Sequence, residues 1–203
     1  MLELLQQLDW NAPDWIALPA GNLGNTSAFG KALAEARDFG LIDRMPRLLA
    51  VQASGAAPFA KAFANRFAER VRVQAETRAT AIRIGDPASW DRAVRAIELT
   101  DGMVEAVTDD EIFAAKSVVD RAGVGCEPAS AASIAGLKAL VSRGVIRRDE
   151  TVVAVLTGHL LKDPGSPEGP DAKADAAPLT PAEAMDLLAA VVNPSRLRAP
   201  SPR

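Results

Sequence analysis

The chain of 203 residues has one cysteine, Cys126, and one histidine, His159. No intramolecular disulfide can form, and one Cys with one His cannot build a zinc cluster. Such sparing use of thiol fits a reducing compartment, and a cytoplasmic chain is expected. No apolar run approaches the ~20 residues a membrane span needs. The first residues, Met1-Leu2-Glu3-Leu4-Leu5, lack the basic start and long apolar stretch of a signal peptide. No membrane partner is expected. Basic blocks longer than two or three residues are also missing, none alternates with aromatics, and the formal net charge is −3. That excludes a nucleic-acid partner, which wants a basic stripe.

What the sequence has is 48% hydrophobic residues, enough to fill a core, in a regular succession of patterns. Apolar positions 2, 4, 5 and 8 have helical spacing. Residues 15–19 read as a short buried strand, and 26–39 as a helix stopped by Gly40. A second strand is expected over 47–52, an Ala/Phe-rich helical stretch over 56–73, and an irregular or extended segment over 77–85. A helix over 89–99 should open with Asp86 as its cap and Pro87 in its first turn. Residues 102–107 form the third expected strand, and Thr108 with Glu111 makes a capping box for a helix over 109–122. Another helix covers 128–143, ended by Gly144, and the β-branched run 151–156 suits a central strand of a parallel sheet. This alternation predicts an α/β fold, a parallel sheet with helices on both faces. It is expected to fill residues 1–164. Residues 165–203 read as a Pro/Gly/Ala-rich linker with a terminal helix over about 180–192, opened by Thr180 and Glu183.

The most informative stretch lies between the first strand and the next helix: Gly21, Asn22, Leu23, Gly24 and Asn25, followed by Thr26 and Ser27. Gly21 and Gly24 permit positive φ and close approach of a ligand. Successive N–H groups in such a turn can form an anion nest, and the following helix adds its free N–H groups and positive dipole end. Asn25, Thr26 and Ser27 offer side chains to cap the helix or meet phosphate oxygens. A tight strand-to-helix turn without ligand is the competing reading. A dinucleotide site is excluded: the G-x-G-x-x-G spacing is wrong, and the next strand ends Val51-Gln52-Ala53-Ser54 with no carboxylate for a ribose. A Walker loop fails because no Gly-Lys-Ser/Thr follows.

This loop resembles the phosphate-binding loop of fold-type II pyridoxal-phosphate enzymes. Three further segments narrow the resemblance to the threonine synthase family, in whose second half they occur in this order and spacing. They are Ala79-Thr80-Ala81-Ile82-Arg83-Ile84-Gly85, Gly125-Cys126-Glu127-Pro128-Ala129-Ser130-Ala131-Ala132, and Leu156-Thr157-Gly158-His159-Leu160-Leu161-Lys162-Asp163-Pro164. The resemblance implies part of a fold-type II, tryptophan synthase β-like fold, with pyridoxal 5'-phosphate as cofactor. Gly21, Asn22, Leu23, Gly24 and Asn25 would hold its phosphate, mainly through backbone amides. Thr157 would set its hydroxyl against the pyridine nitrogen, supporting it less than a carboxylate does and so tempering carbanion stabilisation. The implied reaction converts O-phosphohomoserine and water to threonine and phosphate, so the partner is a small phosphorylated amino acid. The family tends toward homodimers.

Several residues keep two readings. Thr157 alone reads as a strand-end hydroxyl capping its own backbone. Glu127 reads as a capping carboxylate at a helix N-terminus, or, by resemblance, as a neighbour of the cofactor ring. Arg83 would face a substrate phosphate or enter a structural ion pair. His159 receives no chemical duty, and Cys126 reads as an inert buried thiol. The family's Schiff-base lysine lies in a Ser-Phe-Lys-Asp-Arg-Gly type motif, which this sequence lacks. Its lysines are Lys31, Lys61, Lys116, Lys138, Lys162 and Lys173, the first four on expected helices at solvated or rim positions. No residue here is therefore assigned as catalytic; the Schiff-base lysine is expected upstream. A truncated or split form is expected, completed by an N-terminal segment from elsewhere. The alternatives are another fold-type II lyase, such as a serine or threonine dehydratase, and a noncatalytic cofactor- or anion-binding protein.

Overall fold

In the computed structural model, residues 1–163, 180, 182 and 185 are described. Four parallel strands, β1 (Trp15–Pro19), β2 (Arg47–Ala53), β3 (Met103–Val107) and β4 (Val152–Ala154), form one sheet in the order β3-β2-β1-β4. The helices are α1 (Leu2–Gln7), α2 (Gly24–Asp38), α3 (Pro58–Ala64), α4 (Trp90–Leu99), α5 (Asp109–Arg121) and α6 (Pro128–Ser142). Alternation along the strands divides the core. Trp15, Ala17, Leu49 and Val51 pack with Ile112, Phe113, Ala131 and Leu140 of α5 and α6. Ile16, Leu18, Leu48 and Ala50 pack with Leu5, Leu33, Phe59, Trp90 and Ile97 of α1 to α4. β1 is buried along its whole length, which is why it reads as an unbroken apolar run.

Three expectations need correction. The helical stretch expected over 56–73 is helical only from Pro58 to Ala64. Arg66 and Phe67 turn into the left-handed region, which brings the Phe67 ring back to 4.8 Å from Phe59 and 5.6 Å from Phe63. Aromatic packing overrides local helix preference here. The chain then runs alongside later segments, with Val73 N–H bonded to Gly85 O and Glu76 N–H to Gly55 O. The second correction concerns Asp86, which caps nothing. Its carboxylate meets Arg70 at 2.5 Å and Arg72 at 3.0 Å, and Ser89 takes the cap position of α4. The third is β4, which is not central. It pairs only with β1, and Val152 is 40% exposed. A β-branched run specifies strand geometry and apolar faces, not the number of neighbours. The capping box of α5 forms as expected, with Glu111 N–H donating to Thr108 Oγ1 and Thr108 N–H to the Glu111 carboxylate. The linker from 165 and most of the helix expected over about 180–192 lie outside the described residues.

Asp14 fastens the amino ends of three strands. Its backbone N–H donates to Thr151 O and its carbonyl accepts from Arg47 N–H. Its Oδ2 accepts the Thr151 N–H at 2.7 Å, and Arg44 donates to Oδ1. The Thr151 amide, and after it Arg44, hold this carboxyl below the usual carboxylate range against the opposing effect of burial. Asp14→Ala is expected to cost about 1.5–3 kcal/mol near pH 7, measured by urea unfolding, because β4 loses a charged acceptor. A lowered pKa in the folded state stabilises above the ordinary carboxylate pKa. The difference between wild type and variant should therefore shrink as pH falls through about 3.9 and below.

Candidate functional site

The order β3-β2-β1-β4 places the site. From β1 the chain steps outward to β2 and β3, then returns to the other side of β1 as β4. The strand order reverses between β1 and β4, and ligands of open α/β sheets bind outside the carboxyl ends at such a switch point. Ala17 is in register with Ala154, and Val155 N–H still bonds Ala17 O. The loop over residues 21–25 and the segment from Thr157 therefore leave neighbouring strands at the same edge of the sheet.

The loop differs from its sequence reading in one respect. Neither Gly21 nor Gly24 takes positive φ; Leu23 does, at 63°. Leu23 is buried in the core and is the cap position of α2, so packing of its side chain holds the strained turn. Gly21 answers to space instead. A Cβ there would lie 3.0 Å from Ala81 O and 3.1 Å from Ile82 Cα, so the 79–85 segment sits directly on it. Asn22 braces the loop, its Oδ1 accepting the Ala88 N–H at 2.8 Å and its carbonyl the Ser89 N–H. Gln52, fully buried at the end of β2, donates to Ala20 O and accepts from Phe59 and Ala60 N–H. It ties down the loop entrance and is not available to a ribose.

Helix α2 begins at Gly24, two residues earlier than expected, and Ser27 N–H makes the first intrahelical bond, to Leu23 O. The N–H groups of Gly24, Asn25 and Thr26 precede that bond and have no acceptor within the helix. Ser27 Oγ bonds Gly24 O and is not free for a ligand. The Thr26 hydroxyl is fully buried without a hydrogen-bond partner among the described residues. Over Gly24 a Cβ would meet nothing within 4 Å. First-turn amides, an orphaned hydroxyl and open space at a helix N-terminus fit a phosphate monoester.

The other three segments join one another by contact, and residues 81 and 82 tie them to the loop at Gly21. Thr80 Oγ1 donates to Asp163 at 3.1 Å. Gly125 abuts Leu160: a Cβ on the glycine would fall 2.4 Å from Leu160 Cδ2. Ser130 Oγ lies 3.1 Å from Thr157 Oγ1 and accepts the Gly158 N–H at 2.8 Å. The Thr157 hydroxyl therefore pairs with α6 rather than capping its own strand. Ser130, inside a quoted motif, was given no role from sequence. A hydroxyl among the alanines opening α6 was the available signal. His159 Nδ1 accepts the Leu161 N–H, a local structural duty. Arg83 is exposed and in no ion pair among the described residues. Glu127 is buried at the cap position of α6, yet its side chain makes no cap bond. Lys116 corrects the expectation of a solvated lysine: it is 4% exposed and pairs with Asp120 at 2.5 Å. Clefts of about 410 Å³ between α2 and α4 and about 530 Å³ beside β3, α5 and α6 gather none of these contacts between motif segments. Among the described residues no helix is long and apolar enough to cross a membrane, and no cluster of three or more His, Cys, Asp or Glu is placed to hold a metal.

Burial, and next the charge of Asp120, push the Cys126 thiol up to about 11. At pH 8 its thiolate fraction is then about 0.1%, against about a quarter for an ordinary thiol. The native chain should react with a thiol-specific disulfide reagent at least a hundredfold more slowly than the urea-unfolded chain.

Comparison with known proteins shows which family the chain resembles. Residues 1–158 match the family described as "Pyridoxal-phosphate dependent enzyme". The chain is 49% identical over 164 residues to the threonine synthase of Methanosarcina acetivorans, covering 80% of this chain and 40% of that protein. It is 51% identical over 154 residues to the threonine synthase of Mycobacterium leprae, covering 75% and 41%. The chain thus spans about 40% of the length of these relatives. The structure of the processed form of threonine deaminase isoform 2 from Solanum lycopersicum aligns with TM-score 0.63 at 24% identity, covering 78% of this chain and 43% of that one. At that identity the likeness shows the fold, that of the fold-type II enzymes. With both its sheet and most of its sequence accounted for in this way, the chain belongs to the pyridoxal-phosphate dependent enzyme family.

Proposed function

We propose that this chain forms the cofactor-holding part of a threonine synthase, acting on O-phosphohomoserine in the cytoplasm. One observation carries the reading: four motif segments, far apart in sequence, are linked by contacts at the β1/β4 switch point, where α2 starts with free first-turn amides. Identities of 49–51% to threonine synthases, against 24% to a threonine deaminase structure, favour this substrate over a dehydratase's.

In this reading the amides of Gly24, Asn25 and Thr26 and the Thr26 hydroxyl hold the cofactor phosphate. Asn22 contributes through the bracing of its side chain. The Thr157 hydroxyl, fixed by Ser130, would meet the pyridine nitrogen. When bound, pyridoxal phosphate supplies an electron sink for the electron pair released at the substrate's α-carbon. This chain's Thr157 and Ser130 hydroxyls would orient that ring. The proton transfers need a lysine that is also the imine partner. Lys31 and Lys116 are in ion pairs with Glu35 and Asp120, Lys61, Lys138 and Lys162 are exposed on α3, on α6 and on the turn after Thr157, and Lys173 lies outside the described residues. The reading assigns the lysine, and with it turnover and any homodimer contact, to polypeptide outside the span matched here.

The test is binding. The purified chain should bind pyridoxal phosphate in equilibrium dialysis, with inorganic phosphate competing, and borohydride should fix no stoichiometric lysine adduct. Gly24→Asp puts a carboxylate into open space at a helix N-terminus, where the fold tolerates it. It should weaken binding about tenfold or more by repelling the phosphate, while the melting temperature stays unchanged or rises. Equal affinity in the variant, or a specific adduct at one lysine, would remove the assignment.

A further inference from the structure

The cleft of about 410 Å³ between α2 and α4 lies apart from the contacts between motif segments. The two helices meet at Gly30 and Ala96, so tightly that a Cβ on Gly30 would fall 2.3 Å from the Ala96 Cβ. Both residues line the cleft. Ala28 and Ala34 of α2 line it too, with side chains too short to fill the space, and Leu99 of α4 adds an aliphatic surface that is 52% exposed. A cleft of this volume is in the range that takes a small molecule.

Every charged residue that lines it is a cation: Lys31 on α2, and Arg92 and Arg95 on α4. Two clefts of similar size differ in this. Glu105, Asp110 and Glu111 line the one beside α5 and α6, and Glu105 lines the one between α3 and β3. In a chain of formal net charge −3, the α2/α4 cleft is a local excess of positive charge. Lys31 is balanced by Glu35 one turn along α2. Arg92 and Arg95 are exposed and make no ion pair or hydrogen bond among the described residues, although Asp91 and Glu98 share their helix. One turn apart, the two arginines lie on the same face of α4. Each offers a planar fork of N–H donors that suits an oxyanion. Ser27 also lines the cleft, but its hydroxyl is bonded to Gly24 O and adds no free donor.

We propose that the α2/α4 cleft is a binding site for a small amphiphilic organic anion, its oxyanion held by Arg92 and Arg95 and its apolar body laid against Ala28, Ala34 and Leu99. An inorganic anion would satisfy the arginines and leave the aliphatic lining wet. A neutral apolar molecule would cover the lining and leave the guanidinium groups without a counter-charge. A ligand with both characters satisfies both. The site is distinct from the loop over residues 21–25 and does not rest on reading that loop as a cofactor site.

The probe is 8-anilinonaphthalene-1-sulfonate, a fluorescent amphiphilic anion, titrated into the chain at low ionic strength. It should bind as a single molecule per chain, and N-phenyl-1-naphthylamine, the same rings without the sulfonate, should bind about tenfold more weakly or worse. Arg92→Gln combined with Arg95→Gln should weaken the anion about tenfold or more and leave the neutral probe unchanged. Lys61→Gln combined with Lys138→Gln removes the same charge from the other two clefts and should alter the anion's affinity less than about twofold. Ala34→Leu fills the cleft with a good helix former and should weaken both probes. Unchanged melting temperatures show that the variants keep the fold. The proposal is overturned if wild type does not bind the anion, if the two probes bind equally well, or if the anion's affinity survives either the arginine pair of substitutions or Ala34→Leu. An equal loss in the lysine pair also overturns it, because net charge rather than the cleft would then hold the anion.

Discussion

The placement of β1 between β2 and β4 governs the rest of this molecule. Because β1 is flanked on both sides and buried on both faces, the chain leaves it in one direction and must return on the other. That reversal opens the sheet edge where the loop over residues 21–25 and the Thr157 segment emerge side by side. Asp14 holds the arrangement at the opposite edge, where one carboxylate joins the starts of β1 and β4 through the Thr151 amide. Each polar contact at the site depends on the two strands keeping the register of Ala17 with Ala154.

Rigidity at the site comes from neighbouring segments more than from the loop itself. Gly21 is glycine because residues 81 and 82 lie on it, and Gly158 because Glu127 does. Asn22 and Gln52 spend their polar groups on backbone from distant parts of the chain. Once these are committed, the N–H groups at the start of α2 and the Thr26 hydroxyl are left without partners. The site is thus defined by what the packing has failed to satisfy.

Much of the fold was legible. β1 matched its expected limits, the capping box of Thr108 and Glu111 formed, and parallel pairing followed from the alternation of strands and helices. Errors arose where distant contacts outweighed local preference. Phe67 abandons a helix to stack on Phe59, and Asp86 leaves the cap position to pair with Arg70 and Arg72. Of the site, the loop and Thr157 were named from motifs. The Ser130 partnership, the positive φ of Leu23 and the buried pair of Lys116 were not.

Sequence alone determined most of the strands and helices, because periodicity and capping act within a few residues. It also fixed which chemical groups reach the strand ends, since each motif follows its strand directly. Only tertiary structure decided that β4 lies at an edge, that a leucine rather than a glycine carries the left-handed turn, and that Ser130 meets Thr157. Those outcomes depend on side chains tens of residues apart competing for the same space and the same hydrogen bonds, and no local pattern encodes the result of that competition.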